Sequence, residues 1–148
     1  MNPFSYSSAQ RNRNRLNVLL EHKRKGRLLD IGCGDGGFLA LADEYFQVEG
    51  LDLNPAPSDV RYSFYSDQVV KADVNEFDFE NGIYDAITAF NVLEHIVDPD
   101  SVIRKVYQGL RPRGIFFGSV PNNDLPVGAI HTFLTNLFDS THCSTFHP

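Results

Sequence analysis

The run Leu28-Leu29-Asp30-Ile31-Gly32-Cys33-Gly34-Asp35-Gly36-Gly37 constrains the fold of this chain more than any other feature. An apolar segment of strand type ends abruptly in a loop where four of six residues are glycine. Glycine is needed there for two reasons. The turn takes backbone angles that a Cβ would forbid, and a ligand can approach a bare backbone closely. The apolar residues that follow, Phe38, Leu39 and Leu41, continue with helical spacing. The segment therefore predicts a strand, a tight turn and a helix, with a nucleotide cofactor held where the helix begins and its first N–H groups are free.

The remaining sequence repeats this alternation. A helix is expected over 8–25, capped by Ser7 or Ser8, with Leu16, Leu19 and Leu20 on one stripe and Gly26 as its stop. Strands are expected at 27–31, 47–51, 69–72, 84–90 and 115–120. Between them lie a helical stretch at 37–45, an irregular one containing Pro55 and Pro57, and a short acidic one at 75–80. A helix at 98–110 buries Val102, Ile103, Val106 and Leu110 and is closed by Arg111-Pro112-Arg113-Gly114. A last helix is expected over 127–138. The pattern is that of an α/β doubly wound, mostly parallel sheet with right-handed crossovers. At 148 residues it makes one domain, with 1–26 as an N-terminal helical cap and 27–148 as the cofactor-binding α/β unit.

Charge narrows the choice of partners. Residues 1–27 hold seven of the 13 Lys and Arg residues, and Glu21 is their single acid. The rest carries six basic and 18 acidic residues, a poor match to a phosphate backbone. The basic run Arg11, Arg13, Arg15, Lys23, Arg24, Lys25 and Arg27 lacks interleaved aromatics and reads as a solvated helix face rather than a nucleic-acid arm. No apolar run reaches membrane-spanning length, so a soluble, cytoplasmic protein is expected. Cys33 and Cys143 have no C-x-x-C partner, and the sparse His131, His142 and His147 suggest no metal site.

The glycines alone leave the cofactor open. Gly32, Gly34 and Gly37 satisfy G-x-G-x-x-G, a pattern compatible with NAD, FAD or S-adenosylmethionine. Asp52, 20 residues after Gly32 at the end of the second strand, suits a pair of ribose hydroxyls in any of them. Two more acids favour the adenosyl cofactor. Asp30 lies inside the first strand, where a carboxylate suits an α-ammonium group. Asp73 follows the third strand, where it suits an adenine amino group.

At this point LLDIGCGDGG, LDLNP, ADV and YDAITAFNVLEHIVDP, in this order, resemble the motifs of the class I S-adenosylmethionine-dependent methyltransferases, particularly the small enzymes of the ubiquinone and menaquinone biosynthesis type. The resemblance spans about residues 28–122. It implies a Rossmann-like fold and S-adenosylmethionine as cofactor, with S-adenosylhomocysteine as its product. It further implies that Asp30, Gly32, Gly34 and Gly36 line the methionine moiety, Asp52 and Leu53 the ribose and ring edge, and Asp73 and Val74 the adenine. Phe90 and Asn91 would close the channel beside the sulfonium.

The acceptor is expected to be a small molecule, with Ser, Asn or Arg of the first helix and the aromatics Phe4 and Tyr6 near it. His95, just past the fourth strand, is the candidate base, although a loop-anchoring role suits it better, and Glu94 has the same two readings. Family members resemble one another in having a helix and an antiparallel hairpin after the fifth strand. By that resemblance this sheet lacks its last two strands and leaves the apolar edge Ile115-Phe116-Phe117 open, to be covered by the tail or to pair with a second copy. A binding-only or truncated relative and a nicotinamide-binding fragment are the competing readings.

Overall fold

A computed structural model describes residues 7–55, 66–120 and 132–137. The chain forms one six-stranded sheet in the order β3-β2-β1-β4-β5-β6. The strands are β1 (Gly26–Ile31), β2 (Phe46–Asp52), β3 (Val69–Lys71), β4 (Tyr84–Phe90), β5 (Leu110–Val120) and β6 (Thr132–Leu137). All neighbouring pairs are parallel except β5 with β6. The helices are α1 (Ser8–His22), α2 (Gly37–Ala42) and α3 (Pro99–Gly109).

Each helix ends for a local reason. Ser7 caps α1 by accepting a bond from the Gln10 N–H at 3.2 Å. The backbone turns extended at Lys23, so α1 stops three residues short of its expected end at Lys25. Asp98 caps α3, with Pro99 in its first turn, where a missing N–H costs nothing. At its other end the Gly82 and Ile83 N–H groups take the carbonyls of Gln108 and Gly109 at 2.8 and 3.0 Å. Leu110 is already strand, so the segment 111–114, expected as a helix stop, lies within an irregular first part of β5. There Arg113 adopts φ +64° and Arg111 pairs with Asp85 at 2.9 Å.

The sheet is apolar on both faces, which explains why its central strands read as continuous hydrophobic runs. Leu28, Val48, Ala86, Ile115 and Phe117 meet Leu16 and Leu19 of α1 and Phe38, Leu39 and Ala42 of α2. Leu29, Ile31, Ile87 and Phe116 meet Val102 and Val106 of α3. Each fully buried side chain of this size contributes about 1.5–3 kcal/mol. The adjacent Phe116 and Phe117 thus serve opposite faces of one strand.

Two expectations about the C-terminal part are corrected. Residues 132–137, within the stretch expected to be helical, form β6 and pair with β5 from Ile115↔Leu137 to Val120↔Thr132. The unpaired backbone groups along β5 offer a ladder that outweighs local helical spacing, and the edge expected to be open is occupied. The remainder of the expected helix lies outside the described residues, as do Phe4, Tyr6, Cys143, His131, His142 and His147. No helix among the described residues is long and apolar enough to cross a membrane.

Candidate cofactor site

The chain runs outward through β1, β2 and β3 and then returns to β4 on the other side of β1. Loops leaving the carboxyl ends of β1 and β4 therefore diverge and open a crevice. Asp30 and the glycine loop stand on one side of it, and Phe90 and Asn91 on the other. With α1 as a wall they line an open cavity of about 200 Å³.

The glycine loop is held by its own backbone and by Asp52. The N–H groups of Gly32 and Cys33 donate to the Leu51 carbonyl at 2.6 and 3.3 Å, and that of Gly36 donates to the Cys33 carbonyl at 2.9 Å. The Gly34 N–H donates to Asp52 Oδ2 and the Gly37 N–H to Asp35 Oδ1, at 2.8 and 2.9 Å. These donors are thus engaged within the protein. For these five groups the expectation of free N–H groups does not hold. The helix that follows, α2, is also only six residues long.

Gly32 and Gly34 both have positive φ, +72° and +52°, for different purposes. A Cβ on Gly32 would sit 2.1 Å from Val92 Cγ2, whereas one on Gly34 would meet nothing within 4 Å. Gly32 lets two loops touch. Gly34 keeps the cavity side of the turn open. Gly36, at φ +73°, is buried as the first residue flanking α2 and does not face the cavity.

Asp30 is the buried acid of the site, only 3% exposed. Burial raises its carboxyl to about 7, against the pull of the Thr88 hydrogen bond and the Arg15 charge, with Asp52 pushing it further up. Arg15 comes from α1 and is half-buried. Its guanidinium lies 4.2 Å above the centre of the Phe90 ring and donates to Asn12 Oδ1 at 3.0 Å. Phe90 is itself wedged edge-on between Phe38 and Phe117, with ring centres 5.0 and 5.4 Å apart. Burial lowers the Arg15 pKa while Asp30 raises it, yet an arginine stays charged.

Of the residues expected in the site, Asp30, Gly32, Gly34, Phe90 and Asn91 line the cavity together. Asn91 holds a left-handed φ of +56°, rare for a residue with a Cβ, and its N–H donates to the Ser119 carbonyl at 2.8 Å. Asp52 stands beside the cavity, its two oxygens accepting the Gly34 and Asn54 N–H groups, and Leu53 is 56% exposed next to it. Asp73 and Val74 lie further along the same sheet edge, past β3, with Asp73 Oδ1 accepting both the N–H and the side-chain amide of Asn75. His95 does not join them. It sits in a short 3-10 turn with its side chain 79% exposed, 4.0 Å from Glu94.

Sequence reasoning read the basic run of α1 as a solvated face, while also expecting an unspecified Ser, Asn or Arg of this helix near the acceptor. Arg11 and Arg15, with Ser8 and Asn12, face the cavity. Their spacing of three, four and seven positions was the available signal, since it puts them on one helical stripe. Among the described residues no group of three or more His, Cys, Asp or Glu side chains is placed to hold a metal ion.

A doubly wound sheet with its crevice between β1 and β4, a glycine turn and carboxylates at successive strand ends defines a nucleotide-cofactor domain. A family model described as a methyltransferase domain matches residues 5–148, and the chain belongs to that family, within the class I S-adenosylmethionine-dependent methyltransferases. A ubiquinone biosynthesis O-methyltransferase of Yersinia pestis is 36% identical over 121 residues, covering 74% of this chain and 50% of the relative. The chain thus spans about half the length of the curated relatives it matches.

Solved structures agree on the fold. The PH0226 protein of Pyrococcus horikoshii superposes with a TM-score of 0.69 at 22% identity, covering 81% of this chain and 57% of that one. Phosphoethanolamine N-methyltransferase 2 of Haemonchus contortus, solved with phosphomonomethylethanolamine and S-adenosylhomocysteine, superposes at 0.63 with 26% identity, covering 78% and 30%.

Proposed function

We propose that this chain binds S-adenosylmethionine and directs its methyl group to a small-molecule acceptor. One observation carries the reading: a buried carboxylate, Asp30, and a half-buried guanidinium, Arg15, face one cavity. An amino-acid head carries an ammonium and a carboxylate, and these two side chains complement them. A dinucleotide presents a pyrophosphate at the corresponding turn instead, which Asp30 would repel and for which the engaged loop N–H groups offer little.

The residues present fit the cofactor in its other parts. The open space over Gly34 lets a ligand lie against the backbone. Asp52 would accept the ribose hydroxyls, Leu53 and Val74 would flank the adenine, and Asp73 would take its amino group. Phe90 and Asn91 would stand beside the sulfur. The bound cofactor supplies a methyl group already electrophilic on a sulfonium, so the protein's principal task is to orient it and exclude water. Phe90, locked by Phe38 and Phe117, and the wall of α1 serve that task.

Calorimetry with S-adenosylhomocysteine and with NAD tests the cofactor. The first is expected to bind and the second not, and preference for NAD would overturn the reading. Asp52→Ala is expected to weaken S-adenosylhomocysteine about ten- to hundredfold, because hydrogen bonds to a charged group are lost. Methyl transfer from labelled cofactor into a metabolite extract tests the activity, and binding without transfer would leave a binding-only domain.

A further inference from the structure

The acid nearest the far end of the site, Asp73, is poorly held by the sheet. It follows β3, a strand of only three residues at the sheet edge. Its position depends on the turn that follows. The Asp73 carbonyl accepts the N–H groups of Glu76 and Phe77 at 3.0 and 2.9 Å, and Asp73 Oδ1 accepts the N–H and side-chain amide of Asn75 at 2.8 and 2.7 Å. Among the described residues no hydrogen bond reaches Oδ2, which the turn leaves available to a ligand.

This turn is clamped from the neighbouring helix. Lys105 of α3, partly buried, donates from Nζ to the carbonyls of Asn75 and Phe77, at 2.5 and 3.3 Å. No carboxylate among the described residues pairs with it. An ammonium spent on two carbonyls restrains the 75–76 and 77–78 peptide planes, and holding the Asn75 carbonyl restrains the Asn75 Cα from which the N–H and side-chain amide reach Asp73. Immobilising a lysine side chain costs rotamer entropy, which these charge-assisted bonds must offset.

We propose that Lys105 is a positioning residue for the adenine end of the cofactor, acting through the 73–77 turn to aim the Asp73 carboxylate. The proposal rests on the cofactor reading above. It makes α3, which does not line the cavity, part of the apparatus that selects an amino-bearing purine ring.

Calorimetry on the full chain tests it, with two ligands: S-adenosylhomocysteine and S-inosylhomocysteine, which has a carbonyl in place of the adenine amino group. Lys105→Met is expected to weaken S-adenosylhomocysteine about three- to tenfold and to leave S-inosylhomocysteine within twofold of wild type. Lys105→Arg, which restores a cation, is expected to recover most of the loss. In an Asp73→Ala background the Lys105→Met change is expected to cost nothing further, since both act on one contact.

Equal loss for both ligands, or additive losses in the double variant, would overturn the proposal while leaving the cofactor reading intact. Failure of wild type to bind either ligand would overturn the cofactor reading and the proposal together. A melting curve for each variant separates loss of binding from loss of fold. If Lys105→Met unfolds, Asn75→Ala, which breaks the same chain one step nearer Asp73, is expected to show the same ligand selectivity, and equal weakening of both ligands would overturn the proposal.

Discussion

Thr88 Oγ1 donates a 2.7 Å hydrogen bond to Asp30 Oδ1, joining two residues that face each other in the β1/β4 register. Both are buried, at 0% and 3% exposure, so the bond has no water to replace it. It lowers the pKa of an acid that burial has raised to about 7. A charged Asp30 complements a ligand ammonium and a neutral one does not. Cofactor affinity is therefore expected to rise with pH through the region around 7 and to level off above it. Thr88→Val removes the bond and is expected to move that midpoint up by about one unit. Isothermal titrations between pH 6 and 8.5 measure it, and a flat profile would remove Asp30 from the binding contact.

The same shift has the opposite consequence for stability. The Asp30 carboxyl titrates near 7 in the fold and near its ordinary 3.8 in the unfolded chain, so between these values the native state holds a proton that the unfolded state has lost. Its contribution to stability is greatest below pH 4, and falls on the order of 4 kcal/mol as pH rises to 7. Asp30→Asn keeps an acceptor for Thr88 and carries no charge to desolvate. In urea titrations at pH 8 it is expected to be more stable than wild type, while losing cofactor affinity. A variant less stable than wild type at that pH would contradict this account.

Gly32 and Gly34 should respond differently to a methyl group. Gly32→Ala forces Cβ to within 2.1 Å of Val92 Cγ2 on a backbone already at φ +72°, and is expected to destabilise the domain by more than about 3 kcal/mol. Gly34→Ala meets no atom within 4 Å, so only the left-handed backbone opposes it, at about 1–2 kcal/mol. That variant should fold and bind cofactor poorly, because its methyl group takes up open space against the turn. Denaturation and calorimetry on the two proteins separate the effects.

The acids were legible in the sequence because each sits in the last two residues of a strand or just past it, where spacing alone fixes which edge of the sheet it reaches. Asp30, Asp52 and Asp73 follow from that rule. Arg15 does not. Charged residues on a surface helix usually face water, and its inward direction is set by contacts distant in sequence: Leu16 and Leu19 seat α1 against the sheet, and Phe90 offers a ring to stack on. The His95 loop shows the converse. Its place beyond β4 was readable, but the 3-10 turn at Leu93–His95 decides where the side chain points, and it points out. β6 was hidden for a third reason, because strand formation there depends on the edge of β5 rather than on its own pattern.

Arg15→Met tests the other half of the proposed amino-acid contact. The substitution keeps an apolar stem against Phe90 and removes the charge, so α1 should stay in place and the melting temperature should change by little. Affinity for S-adenosylmethionine is expected to fall about ten- to hundredfold. Decarboxylated S-adenosylmethionine, which lacks the carboxylate, should bind the variant and wild type alike. Arg15→Lys is expected to recover only part of the loss, because a lysine cannot stack its charge on the ring in the same plane or present a planar fork of donors. Equal weakening of both ligands by Arg15→Met would mean that Arg15 shapes the cavity wall without contacting the carboxylate.

His95→Ala is expected to leave affinity for S-adenosylhomocysteine within twofold of wild type. The imidazole is 79% exposed and its charged neighbour Glu94 lies at 4.0 Å, too long for a hydrogen bond and too wet for a strong ion pair. Binding and turnover then separate two roles. If the histidine takes a proton from an acceptor, the methyl-transfer rate should fall about 100-fold or more with affinity unchanged. If it only ends the turn, both quantities should hold, since the Val92 carbonyl accepts from its backbone N–H at 2.9 Å and alanine preserves that bond. The exposed side chain and its absence from the cavity lining favour the second outcome: turnover by His95→Ala within about twofold of wild type, measured across pH 6 to 8.5.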